Sequence, residues 1–410
     1  MDRRGDGLPE GRAALNEQGL SGMDSGPASA MIAALKRIAL ARRLAHAGRA
    51  WLAARRIDLW VVSGAERFSG LPLVALLGGQ RETVTFVRTM LFRAGTTERH
   101  ECRWLRNLHR IIDRRTPRAA IVVLDTSDRH ALVHLHDAGT LWLRGWVRTE
   151  LELARAAERM RHGHGLKSDI HRLLANRLTF RVTRDPQALE RFYWEMYRPY
   201  ASAAFAGRAV FMTREQFWDG CRNAELLVVH RDEEALAAMV ILYPPGGIPH
   251  WWVLGVRQGD RRLLADGALA ALYYYGVQHL QAAGHTHAHL GGVRPFLADG
   301  VLQYKRKWGA RLIPGDDGDP HWFMVKIEPT AAVREFLYAC PLIGEDSEGL
   351  VGWTFGEEQN AAHAARLERQ KAELAALGVT RVVTAPLSGA QPATGEWTPR
   401  RSCLRTRQPA

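Results

Sequence analysis

Apolar residues recur along the chain at two spacings, and the changes of spacing mark the elements. Short β-branched or aromatic runs bounded by Gly, Pro or Asp predict strands at 59–62, 73–77, 83–92, 120–124 and 141–147. Trp104, Leu105, Leu108, Ile111 and Ile112 fall at helical spacing and predict a helix over 101–114. A short helix is predicted at 128–137 and a charged one over 149–161. Upstream, Ile32, Leu35, Ile38 and Leu44 share one face of a basic amphipathic helix over 31–56.

The second half repeats these signals in another order. A helix over 168–176 leads to a strand at 179–183. Asp185-Pro186 is a cap followed by Pro in the first turn, and Thr213 with Gln216 reads as a capping box. Strands at 226–230 and 235–243 are joined by Arg231-Asp232-Glu233-Glu234, a hairpin signal. The aromatic run 250–256 is a buried strand, 257–262 a basic loop, and 263–283 a long helix stopped by Gly284. A strand follows at 285–292. Asp299 then caps a helix through Tyr304, Lys305 and Trp308 to Gly309. Strands at 311–313 and 321–327 close this unit, and helices at 331–338 and 357–377 alternate with strands at 350–355 and 379–384.

The resulting organisation is a disordered 1–29, a β/α domain over 30–165, a second α/β domain over 166–328, an α/β extension over 329–386 and a disordered tail over 387–410. A strand, crossover helix and strand at 250–290 predict parallel strands with a right-handed connection. Ligands of open α/β sheets bind beyond the carboxyl ends of the strands. Here that edge carries Arg257, Arg261, Arg262 and Arg294.

Composition narrows the partners. Lys and Arg number 56 against 43 Asp and Glu, a formal charge of +13, which suits a phosphate-bearing coenzyme, RNA or an anionic membrane surface. The alternative for these charges is a set of solvated faces. The four cysteines form no CxxC pair, so neither a disulfide framework nor a zinc knuckle is indicated, and a cytoplasmic location is expected. The apolar run 71–77 contains Pro72 and is too short to span a bilayer.

From 179 onward the order is strand, two helices, three strands, helix, strand, helix, two strands. With Gly291-Gly292-Val293-Arg294-Pro295-Phe296 and Tyr304-Lys305-Arg306-Lys307-Trp308-Gly309, it resembles the GNAT acyltransferases over about 167–327, and within them the Fem-like and BioF2-like branch. The resemblance implies an α/β fold with a mixed sheet and, before it, a second β/α domain that would be a degenerate GNAT-like half. It implies transfer of an acyl or aminoacyl group to an amine of a small-molecule or cell-envelope acceptor. The donor would be acyl-CoA, typically acetyl-CoA, or an aminoacyl-tRNA, with no metal. Direct transfer is expected, because no Cys or Ser stands in a nucleophile motif.

The loop expected to hold donor phosphates contains Arg257, Gly259, Arg261 and Arg262, with one Gly where the family loop has more. Tyr197, Arg208, Trp252 and Arg294 are candidate substrate-binding residues, and aromatic packing is the competing reading for the tyrosines of their helix. Tyr304 is a candidate acid and Asp299 a candidate base, unless Asp299 only caps its helix; Lys305 is a candidate oxyanion stabiliser. His285, His287 and His289 alternate on one strand face; three imidazoles are a metal pattern, but His289 alone as a base suits the resemblance better. The competing class is a non-catalytic GNAT-like module that binds tRNA or other RNA, or makes peripheral contact with a membrane. Oligomeric state is not legible.

Overall fold

The computed structural model describes residues 56–386, apart from stretches within 105–118 and 128–139 and residues 206–210, 316–320, 347 and 358–360. The segments expected to be disordered, most of the basic helix at 31–56 and most of the short helix at 128–137 lie outside the described residues.

The chain opens with β1 (Arg56–Ala65), β2 (Pro72–Gly78), α1 (Arg81–Leu91), β3 (Thr97–Trp104), β4 (Ile121–Thr126) and β5 (Thr140–Arg144). Next come β6 (Val147–Glu152), α2 (Leu153–His162), α3 (Lys167–Ala175), β7 (Thr179–Thr183) and α4 (Pro186–Arg191). A π-helical turn (Phe192–Tyr197) runs into α5 (Arg198–Phe205), followed by α6 (Arg214–Gly220), β8 (Ala224–Arg231), β9 (Glu234–Leu242) and β10 (His250–Val256). The remainder is α7 (Arg261–Ala265), α8 (Ala268–Ala282), β11 (His287–Val293), α9 (Gly300–Lys307), β12 (Arg311–Ile313), β13 (Trp322–Ile327), α10 (Ala331–Ala339), β14 (Leu342–Asp346), β15 (Gly349–Phe355), α11 (Ala361–Ala376) and β16 (Arg381–Ala385).

Three sheets result. The first has the order β3-β1-β2-β4-β13-β5, the second β12-β6-β11-β10-β9-β8-β7, and the third β14-β15-β16. The second is the GNAT-like sheet: β7 to β10 are successive antiparallel neighbours, and β10 pairs with β11 in parallel across the α8 crossover. The parallel pairing, predicted from the strand-helix-strand order, is observed. It consists of a single partner pair, His250 with His289, beyond which β10 and β11 separate.

Several elements differ from expectation for definable reasons. Residues 83–92 were expected to be a strand and form most of α1, because Val84, Val87 and Met90 with Leu91 bury one helical face against the first sheet's core. Residues 101–104 are strand, not helix: they finish β3, an exposed edge strand whose Trp104 pairs with Arg56. Downstream, Leu108 and Ile112 are buried, as the expected helical spacing required. Residues 149–152 are strand because Val147, Thr149 and Leu151 are buried in alternation, a period that outweighs the helix-forming Glu residues. The predicted strand 141–147 is divided at Gly145-Trp146, and its halves enter different sheets. The predicted helix 263–283 is broken at Gly267, whose φ of +96° only glycine adopts readily; a Cβ there would lie 3.1 Å from Leu173 N.

Strand exchange ties the sheets together. β6, upstream of the expected boundary near 165, lies beside β11, whereas β13, far downstream, fills the first sheet between β4 and β5. The carboxyl ends of β2, β4 and β5 therefore share one edge, and the β5–β6 turn runs from it into the second sheet.

Candidate functional site

The separation of β10 and β11 sets the geometry. Near its end β10 carries Gly255, where a Cβ would stand 2.5 Å from the Met196 carbonyl carbon and 2.6 Å from Tyr197 N. The π-helical turn thus packs backbone to backbone on β10 after β11 has left it. A register shift between Trp251 and Val253 turns Trp252 onto Phe217, with ring centroids 5.8 Å apart and planes 10° apart. The Tyr197 hydroxyl accepts from Met212 N at 3.3 Å, and burial pushes its pKa up. Tyr197 and Trp252 do come together, in an aromatic cluster with Phe192, Tyr193 and Phe217. Arg208 lies outside the described residues.

The basic loop turns through two left-handed residues, Gln258 and Gly259, at φ +52° and +65°. Gly259 is required there twice over, since a Cβ would also meet Pro199 O at 2.7 Å. Arg257 is ion-paired with Glu234, so its charge is committed to β9. Arg261 and Arg262 are exposed in the first turn of α7, where Asp260 caps Arg262 N at 2.8 Å.

On α9 the three candidate catalytic residues have different surroundings. Asp299 is buried and accepts from Val301 N and Arg294 N, both at 3.3 Å, so it acts as the helix cap; burial raises its pKa. Tyr304 is half-buried and edge-on to Tyr273, with centroids 5.2 Å apart. Burial pushes its phenol far above the ordinary range, so it stays protonated at neutral pH. Lys305, about 100° further around the helix, is 5 % exposed and faces β11 and β6. Its Nζ donates to Leu290 O at 2.6 Å, Gly292 O at 3.0 Å and Thr149 Oγ1 at 3.2 Å. Desolvation lowers its pKa to about 7, a drop that Asp299 opposes.

These bonds hold a bulge. The register of β11 against β6 shifts between His289 and Gly292, and Gly291 within it has φ +72°. In front of the bulge opens a cavity of about 390 Å³, walled by Arg144, Trp146, Arg148, His250, His289 and the glycines of β11. It lies where the carboxyl end of β5 meets β6, β10 and β11. Of its polar wall residues, only His289 was anticipated as a site residue. Arg144 and Arg148 had one sequence signal: two arginines bracketing a Gly-Trp turn. His285 and His287 engage other neighbours, Tyr243 at 5.8 Å between rings and Thr286 at 3.0 Å.

Arg294 stands between the sheets. It is buried, donates to Gly145 O at 3.0 Å and Thr83 Oγ1 at 3.2 Å, and lies 3.8 Å over the Trp146 ring. It supports the cavity wall from behind. The candidate residues among those described are therefore distributed: Tyr197 lies with Trp252, Tyr304 with Tyr273, and Lys305, Asp299 and Arg294 behind β11 and Trp146.

No family model matches the chain, and no curated protein matches it in sequence. Among solved structures it is similar to L-PGS from Bacillus licheniformis, at 14 % identity over 64 % of this chain and 80 % of that one, with a TM-score of 0.32. It is similar to FemX at 12 % identity over 63 % and 81 %, TM-score 0.32. A GCN5-related N-acetyltransferase from Kribbella flavida matches at 13 % identity over 65 % and 88 %, TM-score 0.26.

Proposed function

We propose that the protein is an acyltransferase that moves an acyl or aminoacyl group from a CoA thioester or an aminoacyl-tRNA to an amine of a small or cell-envelope acceptor. One observation carries the reading: β10 and β11 are parallel, joined by a crossover helix, and part after the single pair His250–His289. Parted parallel strands leave main-chain groups and a gap at the strand ends, where an extended donor and an acceptor can meet.

In this reading Arg261 and Arg262 bind donor phosphates, since Arg257 is already paired with Glu234. Tyr304, held protonated by burial, donates its proton to the departing thiolate or alkoxide as the amine attacks the carbonyl, and the proton released by the amine restores the phenol. Lys305 keeps the β11 bulge in place beside the reacting groups. The test is transfer itself. The protein is incubated with radiolabelled acetyl-CoA or aminoacyl-tRNA and a panel of amines, and label is followed into acid-stable product. Label that reaches no amine from either donor, with neither donor raising the melting temperature, rejects the proposal.

A further inference from the structure

We infer that the face formed by α2, the carboxyl end of α9 and the start of α3 binds the phosphodiester backbone of an RNA. Glycines let its cations come together. Arg155 and Arg159 lie one turn apart on α2 and both flank Gly309, where a Cβ would stand 3.0 Å from Arg159 Cδ and 3.9 Å from Arg155 Cγ. Arg159 Nη1 donates to Arg306 O at 3.2 Å and Lys307 O at 3.4 Å, which closes the end of α9. Burial, with Arg155 and Arg306 beside it, lowers the Arg159 pKa, so like charges crowd here. Lys307 passes Gly165, whose Cβ would lie 3.8 Å from Lys307 Cγ, and pairs with Asp169 of α3.

Much of this charge is not spent within the fold. Asp169 takes Lys307 and Arg172, and Glu373 takes Arg306. Arg155, Arg159, Arg161, Lys167 and Arg311 form no ion pair among the described residues. The acids left beside these five cations are Glu152 and Glu158. Glu150, opposite Arg311, faces His289 at 3.6 Å. From Arg311 the chain leads away from the face, since Ile313 already opposes Arg148, nearer the start of β6.

Continuity with the basic loop selects the partner. A Cβ at Gly267, which joins α7 to α8, would lie 3.3 Å from Arg172 Cβ. Helix α3 therefore bridges α7, which carries Arg261 and Arg262, and the α2–α9 face. Tyr304 stands within a turn of Lys307 on α9, so the cations run past its phenol. CoA carries its phosphates at one end, whereas a polynucleotide repeats them and matches cations spread over α7, α3, α9 and α2. A bilayer finds little to hold: Leu174, 58 % exposed, is the one large apolar side chain exposed on α2, α3 or the carboxyl end of α9 among the described residues. If the transferase reading holds, the RNA is the donor. That clause rests on the reading; the binding does not.

The experiment measures binding by the full chain, with no transfer assayed. Protein is titrated into a fluorescein-labelled RNA hairpin with an unpaired CCA end, and anisotropy is followed from low to moderate salt. Affinity should fall with salt at a log–log slope of about 4, the value for about five phosphate contacts. The variant Arg155→Gln/Arg161→Gln/Lys167→Gln/Arg311→Gln should bind about a hundredfold more weakly at low salt, with the slope reduced by about 3. A control with the same loss of charge, Arg181→Gln/Arg184→Gln/Arg191→Gln/Arg222→Gln, lies around β7 at the opposite edge of the second sheet and should bind like wild type. Photocrosslinks from 4-thiouridine RNA to wild type should fall in peptides covering 153–167 and 306–311, which keeps the test independent of how the variants fold. Phosphatidylglycerol vesicles are the rival anion. Cosedimentation with them that the first variant loses, with no RNA binding by wild type, would assign the face to a membrane and overturn the inference. Equal RNA affinity in the two folded quadruple variants, or crosslinks confined to other peptides, would also overturn it. RNA binding without transfer would leave this face standing and count against the proposed function alone, and transfer from acetyl-CoA with no RNA binding would do the reverse.

Discussion

Replacing Lys305 with Met should give a protein whose stability deficit grows with pH. The ammonium is fully desolvated and has three protein acceptors, Leu290 O, Gly292 O and Thr149 Oγ1. Met fills nearly the same volume without charge or donors, leaving two carbonyls short of a partner at about 1 to 3 kcal/mol each. Removing a buried charge works in the opposite direction, so the size of the deficit at one pH is a weak test. Its change with pH is a sharper one. Lys305 has a folded pKa of about 7 against an ordinary 10.5. Below pH 7 it is protonated in both states, and the folded state bears the full cost of the buried charge. Between about 7 and 10.5 the unfolded chain still holds the proton and the folded chain has released it, so wild-type stability rises with pH. Integrated from pH 7 to pH 9, this gain is about 2 kcal/mol, relative to a ceiling near 5 kcal/mol at higher pH. Met lacks the group, so urea unfolding of both proteins, followed by tryptophan fluorescence, should show the gap widening by that amount. Parallel pH profiles, with a constant gap from pH 6 to pH 9, would refute the placement of Lys305 as a desolvated cation behind β11.

Other outcomes follow from the same geometry. Gly255→Ala should cost about 1 to 3 kcal/mol of unfolding free energy, because the new methyl meets the Met196–Tyr197 backbone at 2.5 Å; full stability would mean that the π-helical turn does not abut β10. Arg294→Ala should destabilise by about 2 to 4 kcal/mol, since it strips Gly145 O and Thr83 of their donor and Trp146 of its stacked cation; a melting temperature equal to wild type would sink this. For Tyr304→Phe we expect unchanged donor affinity and a drop in turnover of about a hundredfold or more, and equal kcat would remove the phenol from the chemistry. The double variant Arg261→Ala/Arg262→Ala should bind donor more weakly at low salt and converge on wild type at high salt, whereas Arg257→Ala alone should change little; a large effect of Arg257 would contradict its commitment to Glu234.

Much of the fold was legible locally. Asp185 caps α4 at Gln187 N and Ala188 N, and Thr213 with Gln216 closes the capping box, both as the sequence spelled out. The hairpin at Asp232, the paired strands 250–256 and 287–293 and the final strand-helix-strand layer were likewise readable, because each is decided by neighbours within a few residues. Asp299 as a cap was also visible in its spacing.

The site was less so. Arg144, Trp146 and Arg148 belong to a stretch that looks like one strand, and nothing local says that its halves join different sheets. Lys305 reads as one more basic residue of a Lys-Arg-Lys run; that it is buried under a β11 bulge while Arg306 and Lys307 pair with Glu373 and Asp169 depends on which face of α9 meets β11. Thus the sequence by itself determined the caps, the hairpin turn and the parallel pair at the centre of the second sheet. Tertiary structure alone decided that β6 crosses to β11 and β13 returns between β4 and β5. Pairing between distant strands is selected by the summed burial of both faces and by closure of long loops, neither of which is written in any local window. That exchange brings the β5–β6 turn up to the β11 bulge and makes the cavity.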